Sequence, residues 1–591
     1  MLLDDIWRKV DLEEEIGIPL PSPENGSKVP FTTRSKKVCG RMGCHDVEVK
    51  HLDPEKAWEL FRQKVRGTTL DSDPKILELA KKICEKCKGL PLALNVIGET
   101  MACKTSVREW QCAIDDLNTN AADYPEVKDE ILTILKLSYD DLKDETVKQC
   151  FQYCALFPED EEIDEEELIE YWRHEGIING GGDRERAINQ GYRILSILVS
   201  ACLLMPVDTL DFEEEEKVIV KTGAGVHQMP EVRDWNSVRR MSLTENEIQN
   251  ISISISPVCH NLTTLLLKHN NLENISGELF LSMPKLMILD LSFNKNLTKL
   301  PEEVSNLVSL RYLNLSGTGL ENLPAGLGKL IQLRYLALIG VQTLQSISVV
   351  SSLVNIEMLW LNYTAFVSLE LIEDMTLMKN LKSLGVSIND VVVLERLLSI
   401  PSLASCIEHI FIEGIVAEYV PFVTNISSLR SIEIGSCIIS DIMEHTRYGF
   451  RSTSTICFQN LVYVHITGVS GIQDLSWLIF APNLTFVCVD GPSLELKEIV
   501  SREKVSGILN EGSSIVPFRK LHTIELISLV ELESIYWKRL EFPSLKKMMI
   551  IDCPKLKKLP FSKERAYYFD LRAHNEEWFG SLEWEHEATE D

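Results

Sequence analysis

The chain has 591 residues, room for two or more domains, and its 45% hydrophobic and 25% charged content describes an ordinary soluble globular protein. Against 60 Lys+Arg stand 88 Asp+Glu, a formal net charge of -28 that repels a polyanion and excludes nucleic acid as the main ligand. Neither a secretory signal nor a bilayer span is legible: the most apolar run, 194–205, falls short of the roughly 20 residues a span needs.

Leu2-Leu-Asp-Asp-Ile-Trp7 is an apolar run broken by carboxylates, as in a buried parallel strand of an α/β fold. Acids at the end of such a strand, here Asp4 and Asp5, can hold Mg²⁺ and orient an attacking water. Lys28-Val-Pro-Phe-Thr-Thr-Arg34 predicts a second short strand, in which Pro30 removes a ladder donor. Arg34 stands where a guanidinium could touch a terminal phosphate; the plainer alternative is a surface arginine closing a strand. Ile76, Leu79, Ala80 and Ile83 share one helical face, after which Gly89 ends the helix and Pro91 starts the next segment. Cys84-x-x-Cys87 and Cys150-x-x-x-Cys154 are too far apart for one zinc site and read as buried thiols. All fifteen cysteines lack regular spacing, which predicts a reducing, intracellular compartment. Asp164 is a candidate N-cap for Glu165-Glu-Glu-Leu-Ile-Glu-Tyr-Trp172, and Asp160-Glu-Glu and Glu213-Glu-Glu-Glu read as solvated surface.

From Leu262 the chain repeats itself, with blocks of the form L-x-x-L-x-L beginning at Leu262, Leu286, Leu310 and Leu333. Weaker copies begin at Ile356, Leu381, Ile407, Leu429, Leu461, Leu484, Leu521 and Leu545. Such units bury their leucines only by stacking, so the period predicts a solenoid of about a dozen strands, on the order of 55 Å long. The positions between the leucines should line the concave sheet: Tyr312, Asn314, Tyr335, Met358, Trp360, Glu433, Tyr463, His465, Phe486 and Glu525. Exposed aromatics beside polar groups resemble an interface, and the array predicts a protein partner rather than a small metabolite.

In order, these segments resemble the plant intracellular nucleotide-binding leucine-rich-repeat (NB-ARC/LRR) disease resistance proteins, coiled-coil branch. Leu-Leu-Asp-Asp-Ile-Trp7 is similar to that family's Walker B segment, Phe31-Thr-Thr-Arg34 to its sensor strand, and Gly89-Leu-Pro-Leu-Ala93 to the motif whose proline lies near the adenine. Cys150-Phe-Gln-Tyr-Cys-Ala-Leu-Phe-Pro-Glu-Asp160 resembles the winged-helix signature, and the likeness runs through Arg239-Arg-Met-Ser-Leu243 into the repeats. Many winged helices bind DNA, but four glutamates in Glu165–Trp172 give the wrong sign for phosphates, so packing against neighbouring domains is expected.

The resemblance implies an α/β plus α-helical N-terminal part followed by an α/β leucine-rich-repeat solenoid. That N-terminal part would be an incomplete NB-ARC with helical and winged-helix subdomains. Its expected divisions are 1–50 (nucleotide-binding remnant), 51–125 (helical), 126–235 (winged-helix-like, incomplete) and 236–591 (repeats). It also implies ADP/ATP with Mg, served by Asp4 and Asp5 at the metal and water, Arg34 at the terminal phosphate and Pro91 at the adenine, with Gly89 a further cofactor-binding residue. Turnover would be at most that of a slow ATPase. The expected partner is a pathogen effector or a guarded host protein, with self-association allowed, in the cytoplasm or peripheral to the plasma membrane. Three features oppose the nucleotide role: no G-x-x-x-x-G-K-[ST] loop, no Met-His-Asp segment between Leu204 and Gly225, and proline at position 30. The alternative is therefore a nucleotide-independent interaction module or decoy.

Overall fold

The computed structural model describes most of residues 28–123, 139–204, 218–441 and 458–573, with isolated positions from Leu3 onward; the longer stretches outside it are 13–27, 124–138, 205–217, 252–258, 442–457, 506–515 and 584–591. The chain divides into two compact units: Met1–Asp144 with Ile197–Leu204, and Glu145–Ser196 with Met205–Asp591.

In the first unit Leu3 bridges Phe31 in parallel, with Leu3 N–H donating to Pro30 O at 3.1 Å and Thr32 N–H to Leu3 O at 2.9 Å. Pro30 thus serves as an acceptor, and its missing donor costs this pairing nothing. Helices follow at Lys36–Met42 (α1), Pro54–Val65 (α2), Gly67–Leu70 (α3), Pro74–Lys86 (α4), Pro91–Ala102 (α5) and Val107–Asp123 (α6). The predicted face of α4 is its core face: Ile76, Leu79, Ala80 and Ile83 are buried, with Cys84 beside them. Asp73 caps α4 by accepting from Lys75 N–H. Gly89 follows the helix at φ +74°, with its carbonyl accepting from Leu52 N–H at 2.8 Å; a Cβ there would lie 2.1 Å from Leu52 O. Burial pushes the Cys84 thiol up to about 11 and that of Cys87 up to about 12, so both stay protonated.

The second unit begins with α7 (Glu145–Cys154), α8 (Glu165–Glu175) and α9 (Arg184–Ser200, whose last turn belongs to the first unit). It continues into a fifteen-stranded parallel sheet in sequence order. The strands are β1 Val218–Val220, β2 Arg240–Ser242, β3 Thr264–Leu266, β4 Ile288–Asp290, β5 Tyr312–Asn314, β6 Tyr335–Ala337, β7 Met358–Trp360, β8 Ser383–Ile388, β9 Ile407–Glu413, β10 Ser431–Gly435, β11 Tyr463–Thr467, β12 Phe486–Asp490, β13 Thr523–Ile527, β14 Lys547–Ile551 and β15 Asp570–Ala573. Every strand expected from the leucine period is present. β1, β2 and β15 are additional, because their blocks lack the full leucine set and pair by stacking on a neighbour.

Leu265, Leu289, Leu313, Leu336 and Leu359 are fully buried in one continuous core, each contributing roughly 1.5–3 kcal/mol by leaving water. Between turns the backbone is bound by an asparagine ladder. Asn270 donates to Leu243 O at 2.8 Å, and Asn294 to Leu267 O at 3.0 Å while accepting from Leu272 N–H at 3.1 Å.

Candidate functional site

Strand register gathers residues far apart in sequence into rows. One row runs Arg240, Thr264, Ile288, Tyr312, Tyr335, Met358, Ser383 across β2 to β8; the next holds Ser242, Leu266, Asp290, Asn314, Ala337, Trp360, Gly385. Helix α8 lies against these rows. Asp164 caps it, accepting from Glu167 N–H at 2.8 Å, and Gly176 ends it at φ 88°. Leu168, Ile169, Glu170, Tyr171, Trp172, His174 and Glu175 are buried. A helix with this many carboxylates is buried because the strand face supplies cations and donors for them.

Glu175 shows this most plainly. Arg240 Nε donates to it at 2.7 Å, and the hydroxyls of Thr263 and Thr264 donate at 3.2 and 3.0 Å. The Arg240 guanidinium also lies 5.2 Å from the centre of the Tyr153 ring, on α7. Tyr171 Oη sits between two carboxylates, 2.6 Å from Asp290 and 2.8 Å from Glu167. One hydroxyl has one proton. Given to Asp290, it leaves Tyr171 as an acceptor, and a protonated Glu167 completes the chain. Burial raises Glu167 to about 7, against the pull of Lys268 and with help from Asp290, which suits that role. Asp290 takes further donors from Ser292 N–H at 2.8 Å, Ser292 Oγ at 2.6 Å and Asn314 Nδ2 at 3.1 Å.

The turn carrying Arg173 and His174 closes the contact. His174 Nδ1 lies 2.7 Å from Glu170 O, which makes it the donor and leaves Nε2 to accept from Arg173 at 3.0 Å. Burial, with Arg173 beside it, holds His174 well below the ordinary imidazole range, so the ring is neutral and both nitrogens are matched. Its edge meets Tyr312 and Tyr335, whose rings stack on each other at 4.1 Å. Arg173 reaches Glu357 at 3.2 Å, Arg184 reaches Glu170 at 3.3 Å, and Arg430 reaches Glu166 at 2.7 Å.

Several expectations change here. Glu161 is not solvated: it pairs with Lys268, whose side chain is 7% exposed. Tyr312, Asn314 and Met358 do face outward from the strands, yet they are buried, because the chain's own helix occupies that face. Tyr335 lies beside them. Trp360, Glu433, Tyr463, His465, Phe486 and Glu525 stay partly exposed. Trp360 packs edge-on to His409, Tyr463 stacks on Phe486 at 4.8 Å, His465 approaches Glu433 at 3.7 Å, and Glu525 takes Lys547 at 2.7 Å. Sequence reasoning did not single out Tyr171, Glu175, Arg240, Lys268 or Asp290 for this contact. The glutamate-rich helix carried the one usable signal, since acids in an apolar helix need cations opposite them.

Residues 1–71 match the NB-ARC domain family and residues 260–320 the leucine rich repeat family. Disease resistance protein RPS5 of Arabidopsis thaliana is 44% identical over 625 residues, covering 100% of this chain and 69% of the relative. The chain belongs to the plant NB-ARC/LRR disease resistance proteins. Disease resistance protein SUMM2 of Arabidopsis thaliana is likewise 44% identical, over 100% of this chain and 68% of its own length. Among solved structures, the leucine-rich-repeat ectodomain of the Arabidopsis thaliana receptor kinase GASSHO1/SCHENGEN3 is similar over 59% of this chain and 44% of its own, with 17% identity and a TM-score of 0.37.

Of the residues that this disease resistance family's nucleotide chemistry would use, Asp4, Asp5 and Arg34 lie outside the described residues. Gly89 is committed to Leu52, and Pro91 opens α5, where a missing N–H costs nothing. Residues 1–591 contain no G-x-x-x-x-G-K-[ST] loop, and no nucleotide step is derived from the described groups. Among the described residues no helix is long and apolar enough to cross a membrane.

Proposed function

We propose that this disease resistance protein recognises another protein through the strand face of its repeats, and that α8 docked on β2 to β10 is the resting arrangement. The buried pair Glu175–Arg240, satisfied on both sides, carries this reading: it is a specific fit between the helical segment and the solenoid. Recognition then falls to the partly exposed portion, with Trp360, Glu433, Tyr463, His465, Phe486 and Glu525 as contact residues. Tyr312, Asn314, Tyr335 and Met358 become reachable once α8 leaves. The proposed partner is a pathogen effector or a guarded host protein in the cytoplasm or at the plasma membrane periphery, and self-association would follow release. The divisions at 50, 125 and 235 are kept as the proposed subdomain limits.

Whether nucleotide controls that release separates two readings. In the first, Asp4, Asp5, Arg34, Gly89 and Pro91 serve ADP/ATP exchange with Mg, and any hydrolysis is slow. The second is a nucleotide-independent interaction module or decoy, supported by the lack of a Met-His-Asp segment between Leu204 and Gly225. Isothermal titration of the full chain with ADP decides: micromolar binding supports the switch, and no heat at millimolar ADP supports the module. Hydrogen exchange of α8 tests the docking, which predicts slow exchange that Glu175→Ala accelerates.

A further inference from the structure

The last repeats carry a groove away from the strands, between the segments that follow β13 and β14. Its volume is about 770 Å³, within the range of ligand sites. Tyr536 and Trp537 line it, their rings 4.2 Å apart and 26° from parallel, together with Leu559 and Pro560. Five cations line it, Lys538, Arg539, Lys555, Lys557 and Lys558, against the carboxylates Glu533 and Glu583. In a chain of net charge -28 this is a reversal of sign.

Two of those cations are already matched, Lys555 by Glu531 at 2.6 Å and Lys558 by Glu583 at 3.3 Å. Lys538, Arg539 and Lys557 are exposed and pair with no described residue. Such a rim offers donors and positive charge over an aromatic wall, and what satisfies it is rich in acceptors, negative and partly apolar. A nucleic-acid strand would bring dense charge against an acidic molecule, whereas a peptide spaces its carboxylates with apolar side chains.

We propose that this groove binds an acidic peptide segment of a partner protein, with Lys538, Arg539 and Lys557 on its carboxylates and Trp537 against an apolar side chain. The test is fluorescence anisotropy on the full chain, with a fluorescein-labelled hexapeptide of four glutamates, one leucine and one phenylalanine as probe. Saturable binding is expected, weakened at least tenfold by Lys538→Glu/Arg539→Glu/Lys557→Glu, severalfold by Trp537→Ala, and severalfold by raising salt from 50 to 300 mM. These four side chains sit on the surface or half on it, so circular dichroism should show all variants folded. Lys295→Glu/Lys299→Glu/Lys329→Glu, exposed lysines elsewhere, should leave the affinity unchanged. Absence of saturable binding, equal loss in the control variant, or equal binding of the lysine-for-glutamate hexapeptide would each overturn the proposal. So would displacement of the probe by inorganic pyrophosphate at the probe's own affinity, which would make the groove a simple anion site.

Discussion

Tyr171 Oη donates to Asp290 Oδ2 across 2.6 Å, joining a helix to a strand 119 residues further along the chain. Asp290 is fully buried, so this donor is part of what allows a carboxylate there at all. Tyr171→Phe removes the hydroxyl and keeps the ring contacts with Tyr312. The expected cost is about 1.5–3 kcal/mol, the range for a hydrogen bond to a charged group. Urea denaturation should show it, together with faster hydrogen exchange in α8. An unchanged midpoint would mean that Asp290 is satisfied without the helix.

Glu175 and Arg240 are each almost fully buried, and either one alone would be an uncompensated charge. Glu175→Met and Arg240→Met should each destabilise by about 3–5 kcal/mol. Glu175→Met/Arg240→Met should cost far less than the sum of the two single changes, because it removes both charges and keeps the volume. Additive costs in this double-mutant cycle would show that the pair does not couple α8 to the repeats.

Acidity acts on this contact in two opposite senses. His174 is held neutral in the folded state, so below its ordinary 6.5 the unfolded chain binds the extra proton and stability falls with pH. Glu167 is raised from 4.5 to about 7, so the folded state binds the extra proton between those values; its stabilising contribution is full at the acid end and lost as pH rises through 7. His174→Gln should therefore gain on the wild type as pH drops from 7 to 5. Glu167→Gln should gain on it as pH climbs over the same interval. Denaturation midpoints at pH 5, 6 and 7 check both signs, and parallel curves would refute the assignment.

Asn294 holds three backbone groups of its own and the preceding repeat, at Leu267 O, Leu291 O and Leu272 N. Asn294→Ala leaves buried backbone groups unpaired and should cost about 2 kcal/mol. Exchange protection should fall mainly around β3 and β4, since each repeat touches only its neighbours. Loss of protection spread evenly to β14 would contradict that nearest-neighbour picture.

The solenoid was legible because its information is local. Leu289 and Leu291, two residues apart, point the same way in any strand, Leu286 joins them from the turn before β4, and stacking leaves one arrangement that buries them all. Helix α8, its Asp164 cap and the face of α4 were legible for the same reason, being fixed by neighbours three and four residues away. β1 and β15 escaped notice because Val218–Val220 and Asp570–Ala573 lack the leucine pattern and gain their pairing from the adjacent strand.

What the sequence could not display is which face of the ladder is already taken. Tyr312 and Tyr463 read identically as outward aromatics, yet one is covered by α8 and the other stays partly open. The glutamates of α8 excluded nucleic acid by their sign alone. Only the tertiary structure set them against Arg240, Lys268 and Arg430, because charge pairs between positions 65 to 264 residues apart obey no spacing in the chain. They form where packing brings two desolvated surfaces together, and that proximity is a property of the fold and not of any segment.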